Sequence, residues 1–215
     1  MQHRWLSLLS ITFLGLIVFI FFWYRIQPIE IPQITQDIEV GSLTEPTITF
    51  VNPSKGASNP TITIVEFGDF ECTACNTLAT ALTVALKTFP QDLRVVWKDL
   101  PNESAHPLAT PAAMAAHCAD QQGAFWAYHD ILFSRQAYLT ESQLPQIAEE
   151  IGLDVKKFTS CFDSQETLPI IKKDYQEGLA LGITSTPTFF IEDKMYVGAI
   201  ETNDLLELIK ATLSQ

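Results

Sequence analysis

Polar and apolar residues alternate with a period of two over residues 61–67. Ile62, Ile64 and Glu66 fall on one side, and Thr63, Val65 and Phe67 on the other, which predicts a strand. The spacing then lengthens. Leu78, Ala81, Leu82, Ala85, Leu86 and Phe89 form one helical stripe, and Pro90 ends it. Residues 93–97 read as the next strand. Strand, helix and strand in that order predict a right-handed βαβ unit with a parallel pair. Upstream, residues 47–51 alternate as a further short strand, and the Pro, Gly, Ser and Asn of 52–60 read as a loop.

From Asp99 to Leu181 the pattern is helical. Residues 107–119, 124–135, 141–151, 155–162 and 166–181 each suit a helix, with Gly123, Gly152 and Gly182 near their ends. A crossover needs only one helix, so a helical insertion is predicted at about 99–182. Pro187 then opens a strand, where its missing N–H does no harm. Residues 192–194 turn, 195–197 return as a hairpin, and Thr202 is placed to cap a last helix carrying Leu205, Leu206, Leu208, Ile209 and Leu213.

The N-terminus differs from the rest. Residues 5–24 carry no charge between Arg4 and Arg25, a length that spans a bilayer core. Trp5 at one end and Trp23 and Tyr24 at the other suit the two interfaces. The run exceeds an ordinary signal-peptide core, and Phe21-Phe22-Trp23-Tyr24 offers no small-residue cleavage site. Residues 1–25 therefore read as an uncleaved transmembrane signal-anchor. Residues 26–46, with Pro28, Pro32 and Pro46, read as an extended stalk, and 47–215 as the folded domain. Arg4 and the amino terminus slightly favour a cytoplasmic N-terminus and an extracytoplasmic domain.

Charge narrows the partners. The formal net charge is −12, and every Asp and Glu lies after residue 25. Nucleic acid is excluded, because phosphate binding needs a basic surface.

The candidate chemistry lies at the strand-to-helix junction, where Cys72 and Cys75 stand one helical turn apart. Both face one side, so a disulfide between them is sterically allowed. Cys72 sits where unpaired N–H groups and the helix dipole favour a thiolate. The alternatives are an inert bridge or a zinc site, but Cys118 and Cys161 form no second close pair and no His stands at finger spacing. Glu66 shares a face with two isoleucines, which predicts a desolvated carboxyl with a raised pKa; the alternative is an ordinary strand-end carboxylate. Lys98, ending the neighbouring strand, is its candidate partner. Cys118 and Cys161 both lie in the insertion and read as a structural disulfide, or else as two buried free thiols. His106, His117 and His129 read as surface or packing residues.

Three segments carry a resemblance. Residues 59–75, ending in Val65-Glu66-Phe67-Gly68-Asp69-Phe70-Glu71-Cys72-Thr73-Ala74-Cys75, resemble the active-site region of the DsbA-like thiol:disulfide oxidoreductases, which have a thioredoxin-like α/β fold with an inserted helical domain. Phe125-Trp126-Ala127-Tyr128-His129-Asp130-Ile131-Leu132-Phe133 resembles a helix of that insertion. Gly182-Ile183-Thr184-Ser185-Thr186-Pro187-Thr188-Phe189-Phe190-Ile191 resembles the cis-proline strand. The resemblance covers about residues 47–213 and leaves out the anchor and stalk.

It implies a bacterial enzyme of the periplasm or cell surface that needs no cofactor or metal. Cys72 would be the nucleophile and Cys75 the resolving thiol. The Thr186-Pro187 bond would be cis and face them, and Glu66 would be the buried acid that moves a proton to or from Cys75. Exported proteins with free thiols or disulfides would be the substrates. A membrane partner, quinone-linked in this family, would re-oxidise the pair. A reducing partner, and a reductase or isomerase role, is the enzymatic alternative; a tethered binding or chaperone module is the non-catalytic one. The sequence departs from the pattern at Thr73-Ala74, because strongly oxidising members hold a thiolate-stabilising His there. Asp69 and Glu71 add negative charge near Cys72, so a milder oxidant is expected.

Overall fold

The alternating stretch becomes the middle strand of a five-stranded sheet. The computed structural model describes Leu16 and residues 40–214. The chain divides into two units, Met1–Asp37 and Ile38–Gln215. Apart from Leu16, the expected anchor lies outside the described residues, as does the stalk up to residue 39. Among the described residues no helix is long and apolar enough to cross a membrane.

The strands are β1 (Ser54–Gly56), β2 (Ile62–Gly68), β3 (Leu93–Asp99), β4 (Thr188–Ile191) and β5 (Lys194–Val197). Their order is β1-β3-β2-β4-β5. β2 and β3 run parallel, as the βαβ pattern predicts, and the other neighbours are antiparallel. The helices are α1 (Thr73–Thr88), α2 (Ala109–Asp120), α3 (Phe125–Arg135), α4 (Leu144–Glu150), α5 (Val155–Asp163), α6 (Leu168–Ala180) and α7 (Thr202–Leu213), with single 3-10 turns at Gln136–Tyr138 and Glu141–Gln143.

Ile62, Ile64, Leu93, Val95 and Phe189 pack on Leu78, Leu82, Leu205 and Ile209 of α1 and α7. The opposite face buries Val65, Phe67, Val96 and Phe190 with Leu100, Leu181 and Ile183. A third cluster, centred on Phe125, Tyr128, Leu132 and Phe158 of the inserted helices, runs continuously to Phe70, Cys72 and Cys75. The insertion is thus packed against the thiol end of the sheet. Cys118 of α2 and Cys161 of α5 form a disulfide with Cα atoms 5.8 Å apart.

Four expectations are corrected. Residues 47–51 form no strand. The Asn52 carboxamide oxygen accepts from Thr49 N at 2.9 Å and Thr49 Oγ1 at 2.8 Å, and these local bonds turn the chain. The extra strand lies instead at β1, inside the stretch read as loop. There Gly56 has φ +110° and an added Cβ would meet the Leu93 carbonyl oxygen at 2.3 Å, so the edge admits only glycine. Thr202 is the first residue of α7 rather than its cap, which is Glu201. Finally, α6 packs on β3, so it is the crossover's own helix and the insertion proper is α2–α5.

Lys98 is also placed otherwise than expected. In the parallel register Glu66 pairs with Trp97 and Phe67 with Lys98. The pleat therefore sends Lys98 to the face opposite Glu66. There its ammonium meets Asp174 at 2.9 Å and Glu177 at 2.8 Å, all three buried. Asn52 Nδ2 donates to Asp174 at 3.2 Å, and Thr47 N donates to Glu177. The cluster clamps residues 47–52 and α6 onto β3.

Candidate active site

β2 ends at Gly68, where an added Cβ would lie 2.4 Å from the Trp97 ring. That close approach lets Phe70 stack on Trp97, ring centres 4.7 Å apart. Gln136, just past α3, donates from Nε2 to the carbonyls of Phe70 at 2.7 Å and Cys72 at 3.0 Å. The turn that presents the thiols is therefore held from below by an indole and from the side by the insertion.

Cys72 is the N-cap of α1, with φ −76° and ψ 114°. Its Sγ accepts from Cys75 N at 3.4 Å. Its own N–H donates to the Asp69 carbonyl at 3.1 Å. Both thiols are free, Cys72 8 % exposed and Cys75 fully buried. The hydrogen bond with the Cys75 side chain holds the Cys72 thiol down at about 6, from an ordinary 9.0; burial opposes this, while the Thr186 side chain and the N–H groups of Cys75 and Ala74 assist. Burial drives the Cys75 thiol far up, reinforced by the hydrogen bond to Cys72 and by Glu66. One sulfur is ionisable near neutrality and its neighbour is not.

The Thr186-Pro187 peptide is cis. The Thr186 carbonyl lies 3.3 Å from Cys72 Sγ, where the thiol form can donate to it. Thr188 Oγ1 donates to the Ser185 carbonyl at 2.8 Å and Gly198 N to the Pro187 carbonyl at 2.8 Å, which fixes this loop beside the sulfur.

Glu66 is 1 % exposed, between Trp97 and Phe189 on the flanking strands. Its Oε1 has no hydrogen-bond partner among the described residues. Burial raises its carboxyl to about 8, the Lys55 charge opposing and Cys72 reinforcing. The facing cation is thus Lys55, from a strand the sequence did not predict. It stands 4.2 Å above the Trp126 ring and 3.9 Å from Asp130.

Asp69 and Glu71 do not sit beside Cys72 as free charges. Asp69 is buried and accepts from Glu71 N at 2.8 Å and Asn102 N at 2.9 Å, with His106 Nδ1 2.8 Å away. Glu71 Oε2 accepts at 2.5 Å from Leu108 N, the N-cap of α2. His117 and His129 are buried; His117 Nε2 meets Asp99 at 2.6 Å, and His129 lies edge-on to Trp97. The structure therefore brings together Cys72, Cys75, Glu66, Thr186 and Pro187, and holds Cys118 and Cys161 apart in the insertion. Lys55, Gln136 and His106 are the site's additions. Lys55 on the short strand β1, Gln136 in a single 3-10 turn and His106 in the loop after β3 carry no local period, so these contacts leave no signal in the sequence. Among the described residues no group of three or more His, Cys, Asp or Glu could hold a metal ion.

The family described as Thioredoxin matches residues 51–211. A Na(+)/H(+) antiporter NhaA of Herminiimonas arsenicoxydans is 33% identical over 158 residues, which are 74% of this chain and 25% of that one. The chain thus spans about a quarter of the length of the curated relatives it matches. A thioredoxin-like oxidoreductase from Silicibacter pomeroyi superposes with a TM-score of 0.68 at 25% identity, covering 78% of this chain and 95% of that one. BdbD from Bacillus subtilis does so with a TM-score of 0.70 at 21% identity, covering 84% and 100%. The thiol-disulfide exchange protein alpha-DsbA2 from Wolbachia pipientis reaches 0.68 at 19% identity, covering 75% and 87%.

Proposed function

This chain belongs to the thioredoxin family, and on that footing we propose that it is a membrane-anchored thiol:disulfide oxidoreductase, donating its Cys72–Cys75 disulfide to exported proteins outside the cytoplasm. The single observation that carries the reading is the split between the two sulfurs. An N-cap thiol at about 6 stands over a buried thiol pushed far up.

The reaction follows from that split. A substrate thiolate attacks Cys72 Sγ; a mixed disulfide forms and the Cys72–Cys75 bond breaks. The Cys75 sulfur, buried and poor at holding charge, takes a proton from Glu66, whose carboxyl near 8 is protonated at neutral pH. A second substrate thiolate then attacks the substrate's own sulfur. The substrate disulfide forms, and Cys72 departs as the better-stabilised thiolate. Two electrons have passed from substrate to enzyme. A membrane oxidant, of the quinone-linked kind, restores the bridge. Gln136 and the Thr186 loop hold Cys72 where an extended substrate chain can lie beside it.

The long uncharged N-terminal run supports the anchor, and the Cys118–Cys161 disulfide supports an oxidising compartment. A second reading, reductase or isomerase, is favoured by one observation: a Cys72 value near 6 lies closer to that of thioredoxin, about 7, than to that of DsbA, about 3.5. Refolding of a reduced, unfolded protein alongside insulin reduction separates the two. The donor reading expects the oxidised enzyme to restore the refolding substrate's activity stoichiometrically and Cys72→Ser to abolish this. Fast insulin reduction without oxidative refolding would overturn it.

A further inference from the structure

Three groups converge on the turn before α1 without a part in the reaction above. Asp69 is fully buried as a side chain, while His106, from the loop between β3 and α2, is about a quarter exposed, 28% against 0%. Their 2.8 Å contact places the imidazole over the residue whose carbonyl receives the Cys72 N–H. Glu71, the third, is engaged by the N-terminus of α2. A buried carboxylate three residues before Cys72, on the residue whose carbonyl receives its N–H, works against ionisation of that sulfur.

We infer that His106 is a positioning residue for the nucleophile: as an imidazolium it cancels the Asp69 charge and stabilises the Cys72 thiolate, supplying through space the cation that Thr73-Ala74 does not provide. This deepens the proposed function, since it rests on Cys72 being the attacking sulfur. The groups facing His106 are Asp69 and Glu71 from the turn after β2 and Cys72 from the start of α1, and all three favour its charged form against its partial burial. On its own loop, Glu103 is taken by Thr110 Oγ1 at 2.6 Å.

The coupling is gated by pH. Below the Cys72 midpoint the sulfur is neutral and the imidazolium has no anion to stabilise. Above the His106 midpoint the cation is gone. Between them the reduced, thiolate form is favoured, and the protein is a stronger oxidant there than Asp69 alone would allow.

The test is thiolate absorbance of the reduced full chain against pH, in wild type, His106→Gln and His106→Lys. Glutamine keeps a hydrogen bond to Asp69 and loses the charge; lysine keeps the charge at all working pH values. The Cys72 midpoint is expected to rise by about one pH unit in His106→Gln, a tenfold loss in ionisation constant, and to stay low in His106→Lys. A full tenfold change is about 30 mV in the two-electron couple, and the gap should be widest between the two midpoints and close as wild-type His106 loses its proton. By reciprocity, the His106 imidazole resonance must titrate higher in reduced than in oxidised protein. An unmoved midpoint in His106→Gln, or a lysine variant that behaves like glutamine, overturns the inference. Because the absorbance reads charge coupling alone, failure of oxidative refolding with an intact shift would sink the proposed function and leave this coupling standing.

Discussion

Glu66 shows at the residue scale how a destabilising group is kept for its chemistry. A buried carboxyl whose Oε1 has no hydrogen-bond partner among the described residues works against folding. Its folded value of about 8 lies above the ordinary 4.5. Between those values the folded chain keeps a proton that the unfolded chain has released. Stability therefore falls as pH rises through that window, and nothing is lost below it. Glu66→Gln should stabilise the protein by about 3 kcal/mol at pH 7 and by almost nothing at pH 4. The same variant should slow formation of the mixed disulfide at Cys72, since Cys75 loses its proton source as the Cys72–Cys75 bond opens. Urea melts at the two pH values check the first part; equal gains at both would show that Glu66 is not held protonated. The carboxyl's raised value was legible in the sequence, because alternation alone set Glu66 beside Ile62 and Ile64. Its cation was not. Lys98 looked adjacent by strand position, and one step of pleat sent it to the other face.

Elements were legible where period and length agreed. β2, α1 and β3 form the predicted unit, and the β4–β5 hairpin follows Pro187. β1 was missed because three residues among Pro, Gly and Ser carry no period, and the residues that did alternate, 47–51, are turned by Asn52. What fixes this region is the buried Lys98–Asp174–Glu177 cluster, a tertiary arrangement that no local window contains. Lys98→Met should therefore cost about 3–5 kcal/mol, because two carboxylates would be left buried without their cation. With Glu177 no longer anchored by Lys98, residues 47–52 should exchange their amide hydrogens faster than in the wild type. Unchanged protection at Thr47 in that variant would show that the segment is held by other contacts.

At the scale of the whole molecule, the sheet and the insertion divide the work. The end of the sheet seats both sulfurs, leaving Cys72 8 % exposed and Cys75 fully buried. The insertion, tied by Cys118–Cys161, closes over the turn through Gln136. The expected anchor and stalk would hold this site near a membrane. Fold and thiols were legible together because Cys-x-x-Cys, a strand before it and a helix after it are all local. The residues that tune the thiols, His106 and Lys55, reach them through the packed fold.

The most direct measurement is the equilibrium of the Cys72–Cys75 pair with glutathione, read by alkylation and mass. A redox-active pair with a moderately acidic nucleophile predicts a reduction potential between about −270 and −120 mV, the values of thioredoxin and DsbA. A potential below about −300 mV, as structural disulfides have, would show that the bridge is inert and contradict the account.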